Sequence, residues 1–230
     1  MARRPVFQPV LGQPPSVKEI VLDFNWHPGL AKSQAQKSIR SLHEAAKEKG
    51  LDPVLEISSK SETSLGVALS AFNLVLCVLD RTMPVEVTYQ GSKVFENGGP
   101  FHDLYSGSSL DAKKDHRIQS SGELIGFNLL GDKWPANPQT CFYDWLYINA
   151  LSQHPDMASE LLSFRAFSDI AYNPEKSLNC QARSAALFVA LYKQGLLAQA
   201  TRDKESFISI ASSKLTNKVP VQGCLFTEMD

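Results

Sequence analysis

The sequence lacks any run of about 18 consecutive apolar residues, so no membrane span is expected. It lacks a C-x-x-C pair as well. The four cysteines, Cys77, Cys141, Cys180 and Cys224, lie far apart, whereas disulfide scaffolds and zinc sites need tighter clustering. Scattered reduced thiols in a cytosolic protein are the expectation. The five histidines are dispersed, with no H-E-x-x-H, so neither a metal site nor a cofactor is expected. Charge of one sign is also missing: 23 Lys and Arg against 24 Asp and Glu leave a formal net charge of -1. The chain therefore has no global field drawing it to DNA or an anionic membrane, although a local basic patch stays open. The opening MARRPVFQPVLGQPPS holds two arginines but no apolar segment and no small-residue cleavage site, so no secretory signal is expected. Internal repeats and low-complexity tracts are absent.

What is there is ordinary for a soluble globular protein: 230 residues, 43% hydrophobic and 20% charged, enough for one large domain or a domain with an arm. Four prolines in residues 1–16 predict an extended or mobile arm. VKEIVLDFNW then alternates, with Ile20, Leu22, Phe24 and Trp26 on one face, as a strand does. A helix is expected from Ser33 to about Lys49, with Ala35, Ile39, Leu42 and Ala46 on one side and Gly50 as its stop. VLEIS (54–58) reads as a second strand whose parallel pairing across that helix would make a βαβ unit. A buried strand is expected near 73–79, a turn or helix start at 80–84, and loops at ENGGP and KWPANP. SSLDAKKDHRIQSSG begins as a short helix and LIGFNLLG reads as a strand or buried segment. FYDWLYINALSQ reads as a buried helix, followed by one from Asp156 to Leu162. ARSAALFVALYKQG is the clearest helix, closed by Gly195; the tail beyond about 205 is weakly patterned. The expected class is α+β: a mostly helical domain around a small β-sheet, with an N-terminal βα extension. The expected division is 1–50 as arm and extension, 51–210 as the catalytic domain and 211–230 as a weakly structured tail.

The stretch VEVTYQGSKVF (85–95) is ambiguous. Propensity makes it a strand. Wound as a helix it puts Glu86, Gln90 and Lys93 on one stripe, at i, i+4 and i+7. The pattern leaves a shared polar pocket and an exposed surface pair equally open. Chemically, a lysine among apolar residues can have its pKa depressed and become a nucleophile towards a sugar or carbonyl carbon, while a carboxylate shuttles protons. Asp144 and Trp145, in a nearly all-apolar helix, read in isolation as a backbone anchor and a core residue. Asn179, Gln181 and Arg183 either cap the following helix or meet phosphates, and Ser58, Ser59 and Lys60 share that ambiguity. Gly98-Gly99 would permit close backbone approach to a ligand, a weak signal.

VEVTYQGSKVF resembles the signature helix of the NADAR superfamily, approximately V-E-x-x-Y-Q-x-x-K-F. As in that family it follows a Leu-Ser-x-Phe element, here Leu69-Ser70-Ala71-Phe72-Asn73. The resemblance continues through the aspartate-tryptophan of FYDWLYINAL and covers roughly residues 54–195. The N-terminal βα region and SDIAYNPEKSLNCQAR resemble one branch, antitoxins encoded beside DNA-guanine ADP-ribosyltransferase toxins. The resemblance implies a pocket-lining helix. Lys93 would attack the ribose anomeric carbon through a Schiff base and Glu86 would move protons. Gln90, Ser70 and Asn73 would position the ribose, Phe72, Tyr89 or Phe101 would stack on a base, and Lys60 would meet phosphate. Asp144, Trp145, Gly99 and Gln181 complete the implied substrate-binding set. Where many relatives carry a glycine-rich segment before the last helix, this chain has NPEKSLNCQA. Asn179 stands for the family's asparagine there, and Asp169 replaces an acidic residue.

The expected function is hydrolysis of the N-glycosidic bond between ADP-ribose and guanine in DNA, without a cofactor, in the cytoplasm. The implied partners are ADP-ribosylated guanine in single-stranded DNA, ADP-ribose and the cognate toxin, with no membrane. The alternatives are hydrolysis of a small N-glycoside, such as a riboflavin-pathway intermediate, and a non-catalytic module binding ADP-ribose or the toxin.

Overall fold

The computed structural model describes residues 1–138, 140–175 and 177–212. Strands β1 (Ala2–Val10) and β2 (Ser16–Phe24) form an antiparallel hairpin with Ala2 opposite Phe24 and Val10 opposite Ser16. Helix α1 (Lys32–Glu48) ends at Gly50, whose φ of +73° suits glycine. β3 (Val54–Glu56), α2 (Ser64–Ala68), the hairpin β4 (Val75–Val78) and β5 (Arg81–Pro84), α3 (Val85–Gly91) and β6 (Lys93–Phe95) follow. A 3₁₀ turn at His102–Ser106 leads to α4 (Ser109–Lys114), α5 (Arg117–Ser120), β7 (Leu124–Leu129) and β8 (Asp132–Pro135). The rest is α6 (Cys141–Ser152), α7 (Pro155–Leu161), β9 (Ala166–Ser168), α8 (Gln181–Lys193), α9 (Leu197–Arg202) and α10 (Lys204–Ser212). Among the described residues this is a mixed α/β fold with a four-stranded sheet β2-β1-β9-β3, a three-stranded sheet β6-β7-β8 and the β4-β5 pair.

The four-stranded sheet is a layer between two hydrophobic clusters, and strand alternation separates them. Val6, Leu22, Phe24 and Ala166 pack with Ile39, Leu42 and Ala46 of α1. Their neighbours Phe7, Leu55 and Phe167 face the other way and join the large cluster containing α6 and α8. Helix α6 is buried nearly all round, as its uniformly apolar sequence predicts.

Several expectations change. The expected arm is instead β1, an interior strand paired with β2 on one side and β9 on the other. Its prolines, which lack an N–H, argued against a strand, yet pairing to β9 needs only Val6 and Phe7. β2 and β3 run parallel in one sheet but are not paired; β1 and β9 lie between them, so the expected βαβ unit is a crossover over two strands. β8 occupies part of the expected KWPANP loop, and β9 carried no strand signal because it is three residues long. Past residue 205, α10 continues to Ser212; the weakly structured tail expected at 211–230 lies outside the described residues beyond that point. No helix among the described residues is long and apolar enough to cross a membrane.

Candidate active site

The 85–95 stretch is neither wholly helix nor wholly strand. Pro84 ends β5, and the first two amides of α3 are claimed by the preceding turn: Val85 N–H donates to Leu74 O and Glu86 N–H to Ala71 O, each at 2.9 Å. The helix is thus stitched to the turn carrying Ser70 and Phe72. Every residue of α3 is buried. It stops at Gly91, where a Cβ would lie 2.4 Å from the Tyr105 ring, and at Ser92, whose hydroxyl donates to Thr88 O. Lys93 therefore opens β6, opposite Phe127 of β7, and does not share a helical stripe with Glu86 and Gln90. Gly99, at φ +83°, places its backbone where a Cβ would be 2.2 Å from the Lys93 carbonyl oxygen. The close approach expected of Gly99 towards a ligand is made to the lysine's own backbone.

Despite this change of element, Glu86, Gln90 and Lys93 line one cleft of about 710 Å³, within the range of about 300–1,000 Å³ common for ligand sites. Helix α3 contributes Glu86, Tyr89 and Gln90 to its wall, and the adjoining turn gives Ser70 and Phe72. Ser58 and Ser59 come from the turn after β3, Lys113 from α4 and Tyr143 from α6. Asp169, Asn179 and Gln181 belong to the wall between β9 and α8, together with Tyr172, Asn173 and Leu178 of the same stretch.

Hydrogen bonds fix this arrangement. Gln90 Nε2 donates to Glu86 Oε1 at 3.0 Å, the i, i+4 pair expected of a helix. Asn179 Nδ2 donates to Tyr89 OH at 2.6 Å, fastening the wall to α3. Gln181 binds three segments: its Nε2 donates to Ile57 O and to Asp169 Oδ2, and its Oε1 accepts from Ala71 N–H. What is left over is as informative. Among the described residues, three of the five buried polar side-chain atoms without a hydrogen-bond partner are Ser70 Oγ, Gln90 Oε1 and Asn179 Oδ1, all on cleft residues. Buried polar groups are normally satisfied, so such a cluster has hydrogen-bonding capacity to offer a ligand's hydroxyls.

The electrostatics favour a reactive amine. Burial lowers the Lys93 pKa to about 8, against the attraction of Glu86 and with the help of the Lys113 charge. Its Nζ lies 4.7 Å from the Tyr89 ring centroid. At about pH 7.5, roughly one amine in four would be neutral, against about one in a thousand for an ordinary lysine. Tyr89 and Tyr143 are pushed above the usual phenol range by burial.

Two buried carboxyls meet here, Asp169 on the cleft wall and Glu56 behind it. Glu56 accepts hydrogen bonds from Ser58 Oγ at 2.7 Å, Ser168 Oγ at 2.5 Å and Ile170 N–H at 2.9 Å. His43 Nε2 lies 2.8 Å from the same Ser168 hydroxyl, its pKa lowered to about 4 by burial. Burial and then the Glu56 charge raise Asp169 to about 7, and burial raises Glu56 too. An unfolded aspartate ionises near 3.8 whereas the folded one keeps its proton to about 7, so this group favours the fold most at low pH and loses that contribution as pH rises towards 7. Glu56→Gln should flatten the dependence: the Tm difference between about pH 5 and about pH 8 should shrink in the variant. An equal difference in both proteins would separate the two carboxyls.

Other residues singled out in the sequence lie outside the cleft lining. Lys60 is exposed on the turn after β3, its backbone N–H donating to Ser58 Oγ. Asn73 turns its amide to Val67 O at 2.8 Å. Phe101 packs on Phe95 and beneath the Arg117 guanidinium. Asp144 accepts from Arg183 and from Ser184 Oγ, joining α6 to α8, so Arg183 is occupied by that ion pair. Trp145 packs against Trp134 with ring centroids 4.8 Å apart. No local pattern pointed to Lys113, which sits in a polar run resembling a solvated helix face, or to Tyr143, masked by its apolar helix. Among the described residues no group of three or more His, Cys, Asp and Glu side chains is placed to hold a metal ion.

A family model described as DarT1-associated NADAR antitoxin matches residues 2–220. No curated protein matches the chain.

Proposed function

The chain belongs to the DarT1-associated NADAR antitoxin family, and from that membership we propose that it removes ADP-ribose from guanine bases in DNA by breaking the N-glycosidic bond. The observation that carries the proposal is the meeting, in one cleft, of an amine lowered to about pKa 8 and three buried polar atoms that lack partners. An amine able to attack a sugar carbon thus stands beside groups suited to ribose hydroxyls.

In this mechanism neutral Lys93 Nζ bonds to the anomeric carbon as the bond from that carbon to the guanine nitrogen breaks, and the electron pair leaves with guanine. Glu86 takes the proton released by the attacking amine and passes it to the departing base. Gln90 holds Glu86 through their hydrogen bond. The Lys93 adduct opens to an imine, and water hydrolyses it to free ADP-ribose and the amine. The adenosine diphosphate half supplies remote binding energy that orients the reacting carbon. Lys60, Asn73, Gly99, Phe101, Asp144 and Trp145 take no direct part in this scheme.

The test is incubation of the protein with guanine-ADP-ribosylated single-stranded DNA, reading free ADP-ribose. Release supports the proposal; binding of ADP-ribose without release would make the cleft a non-catalytic module, and release of ribose phosphate from a small N-glycoside alone would move the substrate class. Because the nucleophile must be neutral, kcat/KM should rise with pH through about 8. A profile flat across that range would remove amine ionisation from the rate.

A further inference from the structure

Two amines face the cleft, Lys93 and Lys113, and among the described residues neither makes an ion pair. Lys93 is committed to the reacting carbon in the scheme above. Lys113 lies on α4, which is tied to the turn beside α3 where Ser109 Oγ donates to Phe72 O at 3.1 Å. Lys113 is exposed, and its Nζ sits 5.2 Å from the Phe72 ring centroid, so the aromatic face favours an ammonium position at the cleft. The two amines sense each other's charge. Glu86 on the cleft wall attracts Lys93, whereas Lys113 has no carboxylate paired to it among the described residues, so an anion is favoured beside Lys113. Lys60, the residue that resemblance assigned to phosphate, is not on the cleft wall.

We infer that Lys113, fixed over Phe72 at the cleft wall, recognises the diphosphate of the ligand and sets its preference for nucleoside diphosphates over uncharged nucleosides. The inference rests on the proposed reading of the cleft as an ADP-ribose site. Glu86, Asp169 and Glu175 also line the cleft, and Glu86 attracts Lys93. The diphosphate therefore belongs on the Lys113 side, where the amine offers charge without a carboxylate partner among the described residues. Phe72 has two duties under this arrangement: it carries the ammonium and presents its edge or remaining face to the ligand.

The experiment is titration calorimetry with ADP-ribose, ADP and adenosine on the wild-type chain and on Lys113→Ala, Lys113→Glu, Lys113→Arg and Lys60→Ala. Lys113→Ala should weaken ADP-ribose and ADP about tenfold and Lys113→Glu further, with adenosine unchanged. Lys113→Arg should retain affinity, and Lys60→Ala should behave as wild type. The wild-type affinity for the two diphosphates should fall with salt, and the Lys113→Ala variant should lose part of that dependence. Equal weakening of all three ligands would mean that Lys113 only supports Phe72, and overturns the inference. So would unchanged diphosphate affinity, or a loss in Lys60→Ala as large as in Lys113→Ala. These outcomes are separate from the hydrolysis assay: a chain that binds ADP-ribose through Lys113 yet releases none from DNA would refute the proposed activity alone.

Discussion

Lys93→Ala should lower kcat for the proposed ADP-ribose release by roughly three orders of magnitude or more, because removing the proposed covalent nucleophile leaves only the binding and proton-transfer parts of the site. The fold should survive. Lys93 is at the start of a short strand, and its backbone pairing to Phe127 does not depend on the side chain. Losing its contact with Tyr89 should cost about 1 kcal/mol or less, partly offset because a half-buried amine no longer has to be desolvated. Lys93→Arg is the informative companion. It keeps the positive charge near Tyr89 and Glu86, but a guanidinium stays protonated and cannot attack. Both variants should be inactive with near wild-type melting temperatures. Borohydride treatment of the wild-type enzyme during turnover should trap a covalent adduct on the peptide containing Lys93, visible by mass spectrometry. Turnover persisting in Lys93→Ala, or an adduct on another lysine, would dismiss the proposed nucleophile.

Asp144→Ala should produce the largest loss of stability, about 3 kcal/mol or more. Removing one member of a buried ion pair leaves the other charge without compensation. The Asp144 side chain is 6% exposed and that of Arg183 27%, so water can only partly rescue the guanidinium. The carboxylate also accepts the Ser184 hydroxyl at 2.6 Å, and both partners sit at the start of α8, so its loss loosens the α6–α8 contact at the centre of the main core. For a chain of this size the melting temperature should drop by roughly ten degrees. Its folded fraction should retain the wild-type KM, since Asp144 is not on the cleft wall. A raised KM with unchanged stability would instead place Asp144 in substrate contact.

These two residues show how far the sequence could be read. Lys93 was legible as a nucleophile candidate from residue type and family pattern, yet its helical placement was not, because Gly91 and Ser92 end the helix by packing on Tyr105 and Thr88, contacts from another segment or the previous turn. Asp144 was legible as a buried polar group needing a partner; the identity of that partner, Arg183, is a contact over 39 residues that no local pattern encodes. Lys113 shows the opposite failure. Its local sequence is that of an exposed helix, and only the packing of α4 against the turn at Phe72 brings it to the cleft.

By itself the sequence determined what short-range chemistry fixes: the helices α1, α6 and α8 through their apolar spacing, the strands β2 and β7, and the acid-amide-amine set of 86, 90 and 93. Only the tertiary structure decided that the proline-bearing N-terminus is an interior strand, that the segment between β9 and α8 forms part of the cleft wall, and which second cation joins Lys93 in the cleft. The physical reason is range. Periodicity and capping act over a few residues, whereas strand order, burial of Glu56 beside Asp169 and the convergence of amines depend on surfaces that meet only when the core closes.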